Sequence, residues 1–227
     1  MDRNRGARGR GFHKKTAAHV LGILFGAAAL AKTPPPVVDE SISESDTSWR
    51  AASKTSSGLT MGKMQIQFEE TTLSEVMRTV KSGSIQHQGD AAGSVYWLCY
   101  RALTDGYTLR IWLEASGEMG GPENRITSIA VQRITDSNQL SDCPALPKQF
   151  EPLSFNNGVW IGTSIATVGK AFSTGLLRAG EHAFIGYHGK VSDNGKCDGG
   201  YDLLNSLYLT FQAGLVVAID AGQVTSC

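Results

Sequence analysis

Three groups of side chains in the sequence could do chemistry. His182 and His188, six residues apart, offer with Asp193 the imidazole and carboxylate ligands of a transition metal, but that spacing fits neither a helix face nor a tight turn. The run from Asp193 to Asp202 (DNGKCDGGYD) sets three acids in a glycine-rich loop of the kind calcium favours. The EF-hand register fails there and Lys196 opposes a cation, so a solvated hairpin loop is expected. Glu114, Glu118 and Glu123 could form the carboxylate pair of glycoside hydrolysis, yet nothing fixes their separation. No G-x-S-x-G elbow occurs, His87 lies in the polar stretch GSIQHQGD that reads as a solvated loop, and GEMGG at 117–121 lacks the Lys-Ser/Thr of a phosphate loop. No catalytic, cofactor-binding or metal-binding set is therefore assigned, and the protein is expected not to be an enzyme.

The elements that would position a site come from an internal repeat. Thr71–Gly83 (TTLSEVMRTVKSG) aligns without gaps on Thr163–Gly175 (TSIATVGKAFSTG) at an offset of 92. Each begins with a Thr/Ser N-cap candidate and ends at a Gly C-cap candidate. Leu73, Val76 and Val80 fall on one helix face, and Ile165, Val168 and Phe172 repeat the stripe. Strand patterns follow each helix: 96–100, 109–115 and 126–132 in the first half answer 183–187, 207–213 and 216–222 in the second. The expected fold class is α+β, two tandem modules, each a helix packed on an antiparallel sheet of three to four strands. The boundaries are 61–136 and 137–227, and the two halves would share a sheet of about six to eight strands.

Period-two alternation places Trp97, Arg110, Trp112, Phe184, His188 and Tyr208 on the sheet face away from the helices. Aromatic and Arg side chains on an open face are what a protein-binding surface needs. The competing reading is that loops or the N-terminal segment cover this face and make Trp112 and Tyr208 ordinary packing.

The termini and cysteines bear on location. Six bases and one acid precede the apolar run 16–31, which ends in Ala29-Leu30-Ala31, the pattern of a secretory signal over 1–31. Retention as a membrane anchor is the alternative, although 16 apolar residues are short for a span. Cleavage would turn the formal charge of zero into about −5, with 15 Lys+Arg against 20 Asp+Glu. Such a chain suits neither nucleic acid nor an anionic membrane, and a protein partner is expected. Residues 32–60, rich in Pro, Ser, Thr and acids, read as a disordered linker. Cys99, Cys143, Cys197 and Cys227 allow three pairings, of which the repeat favours Cys99–Cys143 and Cys197–Cys227, one bridge per module.

This plan resembles the secreted beta-lactamase inhibitor proteins, and single modules of the kind occur in small outer-membrane assembly lipoproteins. The local match is Trp160-Ile161-Gly162-Thr163-Ser164 leading to Val168 and Phe172, similar to the Gly-Thr/Met-Ser-x-x-x-Val helix opening of those modules. The first half departs from it with Glu69-Glu70 in place of the Gly, the second with Thr174-Gly175-Leu176 in place of Gly-x-Pro, and no lipid-carrying Cys follows the signal. The resemblance implies a non-enzymatic protein-binding sheet. The expected function is an exported binding module, periplasmic or secreted, in the manner of an inhibitor or immunity protein for an exported enzyme; a cell-envelope assembly or structural factor is the alternative.

Overall fold

The structure, a computed structural model, describes residues 34–36, 49–90, 93–104, 106–116, 123–135, 143–173, 175–191 and 200–226. The expected signal, Cys197, Cys227 and Asp193 lie outside the described residues. The fold is α+β, dominated by antiparallel sheet. In chain order its elements are β1 (Gly58–Met61), β2 (Met64–Gln67), α1 (Leu73–Val80), β3 (Gln86–Gln88), β4 (Val95–Thr104), β5 (Tyr107–Ser116), β6 (Ser128–Ile134), β7 (Leu153–Phe155), α2 (Ile165–Ala171), β8 (Leu176–Ala179), β9 (His182–Val191), β10 (Tyr201–Gln212) and β11 (Leu215–Ser226).

Local chemistry sets the helices. Thr72 caps α1: its side chain accepts from the Glu75 amide at 3.2 Å, and the Glu75 carboxylate accepts from the Thr72 amide at 2.7 Å. Those bonds from Thr72 hold the Glu75 carboxyl below the usual carboxylate range. Leu73, Val76 and Val80 are buried, as the stripe predicts. The C-cap is Lys81, left-handed at φ 56°, rather than the expected Gly83. Gly83 (φ 85°) instead lies against the Tyr100 ring, where a Cβ would come within 3.3 Å. The second helix, α2, is capped by Ser164, which accepts from the Thr167 amide at 3.2 Å; Val168 is its one buried residue, and it ends at Phe172 before reaching Gly175.

Eight strands form one sheet in the order β3-β4-β5-β6-β11-β10-β9-β8, all antiparallel. The strands before residue 137 occupy one side and those after it the other, meeting where β6 pairs with β11. Each helix start is tied to the entrance of the inner strand on its own side. The Leu73 amide donates to Asn124 O (3.3 Å) and the Ile126 amide to Thr71 O (2.9 Å). The Ile165 amide donates to Gly214 O and the Val216 amide to Thr163 O, both at 3.0 Å. One apolar cluster joins both sides, with Leu98, Ile111 and Val131 in contact through it with Ile185, Leu209 and Ile219.

A second sheet, β2-β1-β7, corrects the expected linker. Residues 49–60 are packed, not disordered: Trp49 meets Phe184 at 5.2 Å, the Ala51 amide bonds Gly186 O at 2.9 Å, and β1 pairs with β7 from beyond the 136/137 boundary. The cause is polar. The Asn205 side chain, 1% exposed, accepts from the Thr55 amide (2.6 Å), the Thr55 hydroxyl (2.8 Å) and the Ser56 amide (3.2 Å), and donates to Ser56 O (2.8 Å). Side-chain hydrogen bonds give this polar segment the order that its composition does not announce.

Both edges of the large sheet are short. The β3 strand covers only 95–97 of β4, and β8 only 182–185 of β9. Beyond them, Arg101 of β4 pairs with the 144–146 segment through the Pro144 carbonyl (2.9 Å) and the Leu146 amide (2.7 Å), and Gly186 of β9 takes the Ala51 amide.

Candidate functional site: the helix-free face of the sheet

The alternation read from the sequence holds, but the exposure expected of that face does not. Trp97 (3% exposed), Arg110 (3%), Trp112 (1%) and Phe184 (0%) are buried; Tyr208 is half-buried and His188 exposed. The cover on the first-half side comes from the Cys99–Cys143 disulfide, whose Cα atoms are 5.2 Å apart. It draws Cys143 into a small apolar cluster with Trp97, Trp112 and Ala130. Cys99 alternates onto the same face as Trp97, so the expected bridge already implied that Cys143 would lie over it. On the other side Trp49 covers Phe184, which also packs against Tyr208 at 4.7 Å. The Arg110 guanidinium lies over the Trp112 ring, 5.5 Å from its centroid.

Between these covered flanks a trench crosses the strands. Its floor is one register row of small side chains. Glu114 pairs with Ser128, Ser128 with Gly222, Gly222 with Ser206, and Ser206 with Gly186. The adjacent row reads Trp112, Ala130, Asp220, Tyr208, Phe184, and its Asp220 and Tyr208 form one wall. Leu204 and Val224 line the other side, and Trp97 and Trp49 also line the cavity, which measures about 750 Å³. Past Ser206 the row continues under Trp49 at a position that must be glycine: a Cβ on Gly186 would stand 2.7 Å from the Phe184 ring and 2.8 Å from Trp49. A second groove of about 600 Å³ continues along the same face past Tyr208, Asp220 and His182.

Two carboxyl groups belong to the trench lining, Glu114 and Asp220. Burial, then the charge of Asp220, pushes the Glu114 carboxyl up to about 8, against a weaker opposite pull from a hydrogen bond to Ser128. Its Oε1 is buried with no hydrogen-bond partner. Near neutral pH this group is largely a neutral acid, able to donate as well as accept. The sequence pointed to Glu114 within a set of nearby glutamates and, by alternation, on the face it shares with Arg110 and Trp112. Its working neighbour, Asp220, comes from the last strand, and the signal that could have found it is the strand correspondence, which sets Asp220 opposite Ala130 in the repeat.

The remaining expected residues are scattered. His87 is exposed as expected, but it sits on the edge strand β3 rather than in a loop and stacks on Tyr96 at 4.3 Å. Asp202 accepts from His188 Nε2 (2.8 Å) and Lys190 Nζ (2.9 Å), bonds that hold its carboxyl below the usual carboxylate range. His182 Nδ1 lies 3.3 Å from the Thr210 hydroxyl. Among the described residues no three His, Cys, Asp or Glu side chains converge as a metal site, and no helix is long and apolar enough to cross a membrane. Glu118 lies outside the described residues.

Comparison of the chain with protein-family models, with curated proteins and with solved structures found no match in any of the three.

Proposed function

We propose that the protein is an exported, non-enzymatic binding module, made of two tandem helix-plus-sheet units, that takes a segment of a partner protein into the trench on its helix-free face. The observation that carries this reading is the trench itself: a floor of Ser128, Gly222 and Ser206 between tryptophans, open beside flanks that are otherwise covered. Small side chains let a backbone approach, aromatic walls supply contact area, and Glu114 and Asp220 supply polar direction. The matching hydrogen bonds at the two helix starts support the tandem plan, in keeping with the resemblance to beta-lactamase inhibitor proteins. A disulfide forms and persists in oxidising compartments, which supports an exported location. An inhibitor or immunity role follows if the segment belongs to an exported enzyme.

The test is selection of peptides from a displayed random library by the full chain and by Ser206→Arg. Ser206 is half-buried on the trench side of β10, whose buried face this change leaves alone. Selection of a consensus by wild type, lost in Ser206→Arg at an unchanged thermal midpoint, is expected. Equal enrichment by both proteins would place binding elsewhere.

A further inference from the structure

A segment of the same chain borders the trench, its middle residue Pro35 half-buried and Pro34 and Pro36 exposed. Pro34, Pro35 and Pro36 line it alongside Trp49, Trp97 and Tyr208, and Pro36 reaches the neighbouring groove as well. Residues 37–48 separate these prolines from Trp49, and twelve residues can span up to about 40 Å, so the connection does not by its length force them into the trench. The chemistry of the fit is specific. A residue followed by proline avoids helical backbone, so Pro-Pro-Pro is preset to the extended polyproline II form, whose ordering costs little on binding. Grooves that recognise this form are lined by aromatic rings against which proline rings pack. The trench floor from Glu114 on β5 to Ser206 on β10 crosses three strand spacings, about 14 Å. At about 3.1 Å per residue, a polyproline II segment of about five residues fills it.

We propose that the trench recognises a proline-rich, polyproline II segment of a partner protein, and that Pro34–Pro36 holds the place in cis until the partner displaces it. This rests on the trench-binding reading above and adds to it the partner's chemistry and a built-in competitor. A tethered segment competes at an effective concentration of roughly millimolar. Against a peptide whose intrinsic Kd is roughly 100 μM, that weakens apparent binding about tenfold.

The experiment titrates a fluorescent peptide, Thr-Pro-Pro-Pro-Val-Val (residues 33–38), into the full chain by anisotropy. Three proteins are compared: wild type; Pro34→Gly, Pro35→Gly and Pro36→Gly combined; and that triple variant carrying Ser206→Arg. The triple variant is expected to bind about tenfold more tightly than wild type, the Ser206→Arg addition to abolish binding, and the peptide Thr-Ala-Ala-Ala-Val-Val not to bind. Equal affinity of wild type and triple variant, equal binding of the alanine peptide, or no binding by the folded triple variant overturns the proposal. If library-selected peptides without proline still bind in a Ser206-sensitive manner, the trench reading survives that failure; if none does, both fall.

Discussion

Glu114 is a carboxyl group that the fold makes reluctant to ionise. Its ordinary value is 4.5 and its value in the fold is about 8, so between those pH values the native state holds a proton that the unfolded chain has lost. Stability from this group is greatest below about pH 4.5, falls as pH rises through the window, and is level above about pH 8. Glu114→Gln keeps the shape and removes the titration. Urea unfolding at pH 5 and pH 8 should therefore show wild type losing on the order of a few kcal/mol across that range and the variant losing much less. Parallel losses in both proteins would assign the pH dependence to other groups. Asn205 makes the opposite case, a buried polar side chain whose bonds are met. Asn205→Ala strips partners from the Thr55 and Ser56 amides and should cost on the order of 3 kcal/mol. Hydrogen exchange at residues 51–57 should rise more than exchange in β5; a uniform rise would mean that Asn205 does not act on that segment in particular.

At the scale of elements, what was legible in the sequence followed from period and punctuation. Both helices, and the cores of β4, β5, β9, β10 and β11, announce themselves by apolar spacing. The strands that went unread, β1, β2, β3, β7 and β8, are three or four residues long, too short to show a period. The trench was half legible. Alternation gave its aromatic residues their face, but the register that brings Ser128, Gly222 and Ser206 into one row is a property of strand pairing, which no single segment records. The Cys99–Cys143 bridge, with a sequence separation of 44, is an element-scale device that clamps residue 143 over β4 and β5. The combined change Cys99→Ser and Cys143→Ser should cost about 4 kcal/mol in the chain-entropy model. It should also uncover Trp97 and Trp112, read as a red shift and increased iodide quenching of fluorescence. Unchanged quenching would mean that the cover does not depend on the bridge.

For the whole molecule, the two sides of the large sheet share one core. The cluster on the helix side runs through both, β11 lies between β6 and β10, and β1 finds a partner in β7 from the other half. A fragment ending at residue 136 leaves β6 without β11 and β1 without β7, and is expected to lack a cooperative thermal transition, by circular dichroism, while the full chain shows one. Independent melting of the fragment would show that each half is self-sufficient. The carboxylate of Glu69 adds a further cross-tie, accepting from Gln223 Nε2 at 2.7 Å and from the Thr225 amide at 2.6 Å near the end of β11. Glu69→Ala should raise hydrogen exchange at 223–226 while leaving β4 and β5 protected, whereas unchanged exchange there would remove Glu69 from that role.

A sheet of eight antiparallel strands is also a template, because any long bare margin invites another chain to add itself. Here neither margin runs far. The outermost strands are three and four residues long, and past each of them the next strand is met by irregular chain, at Arg101 by residues 144–146 and at Gly186 by Ala51. Short and interrupted margins are how sheets resist fibre growth and accidental pairing. The same arrangement leaves main-chain strand addition little room, so the partner segment proposed for the trench would be received across the strands, by side chains, rather than alongside them.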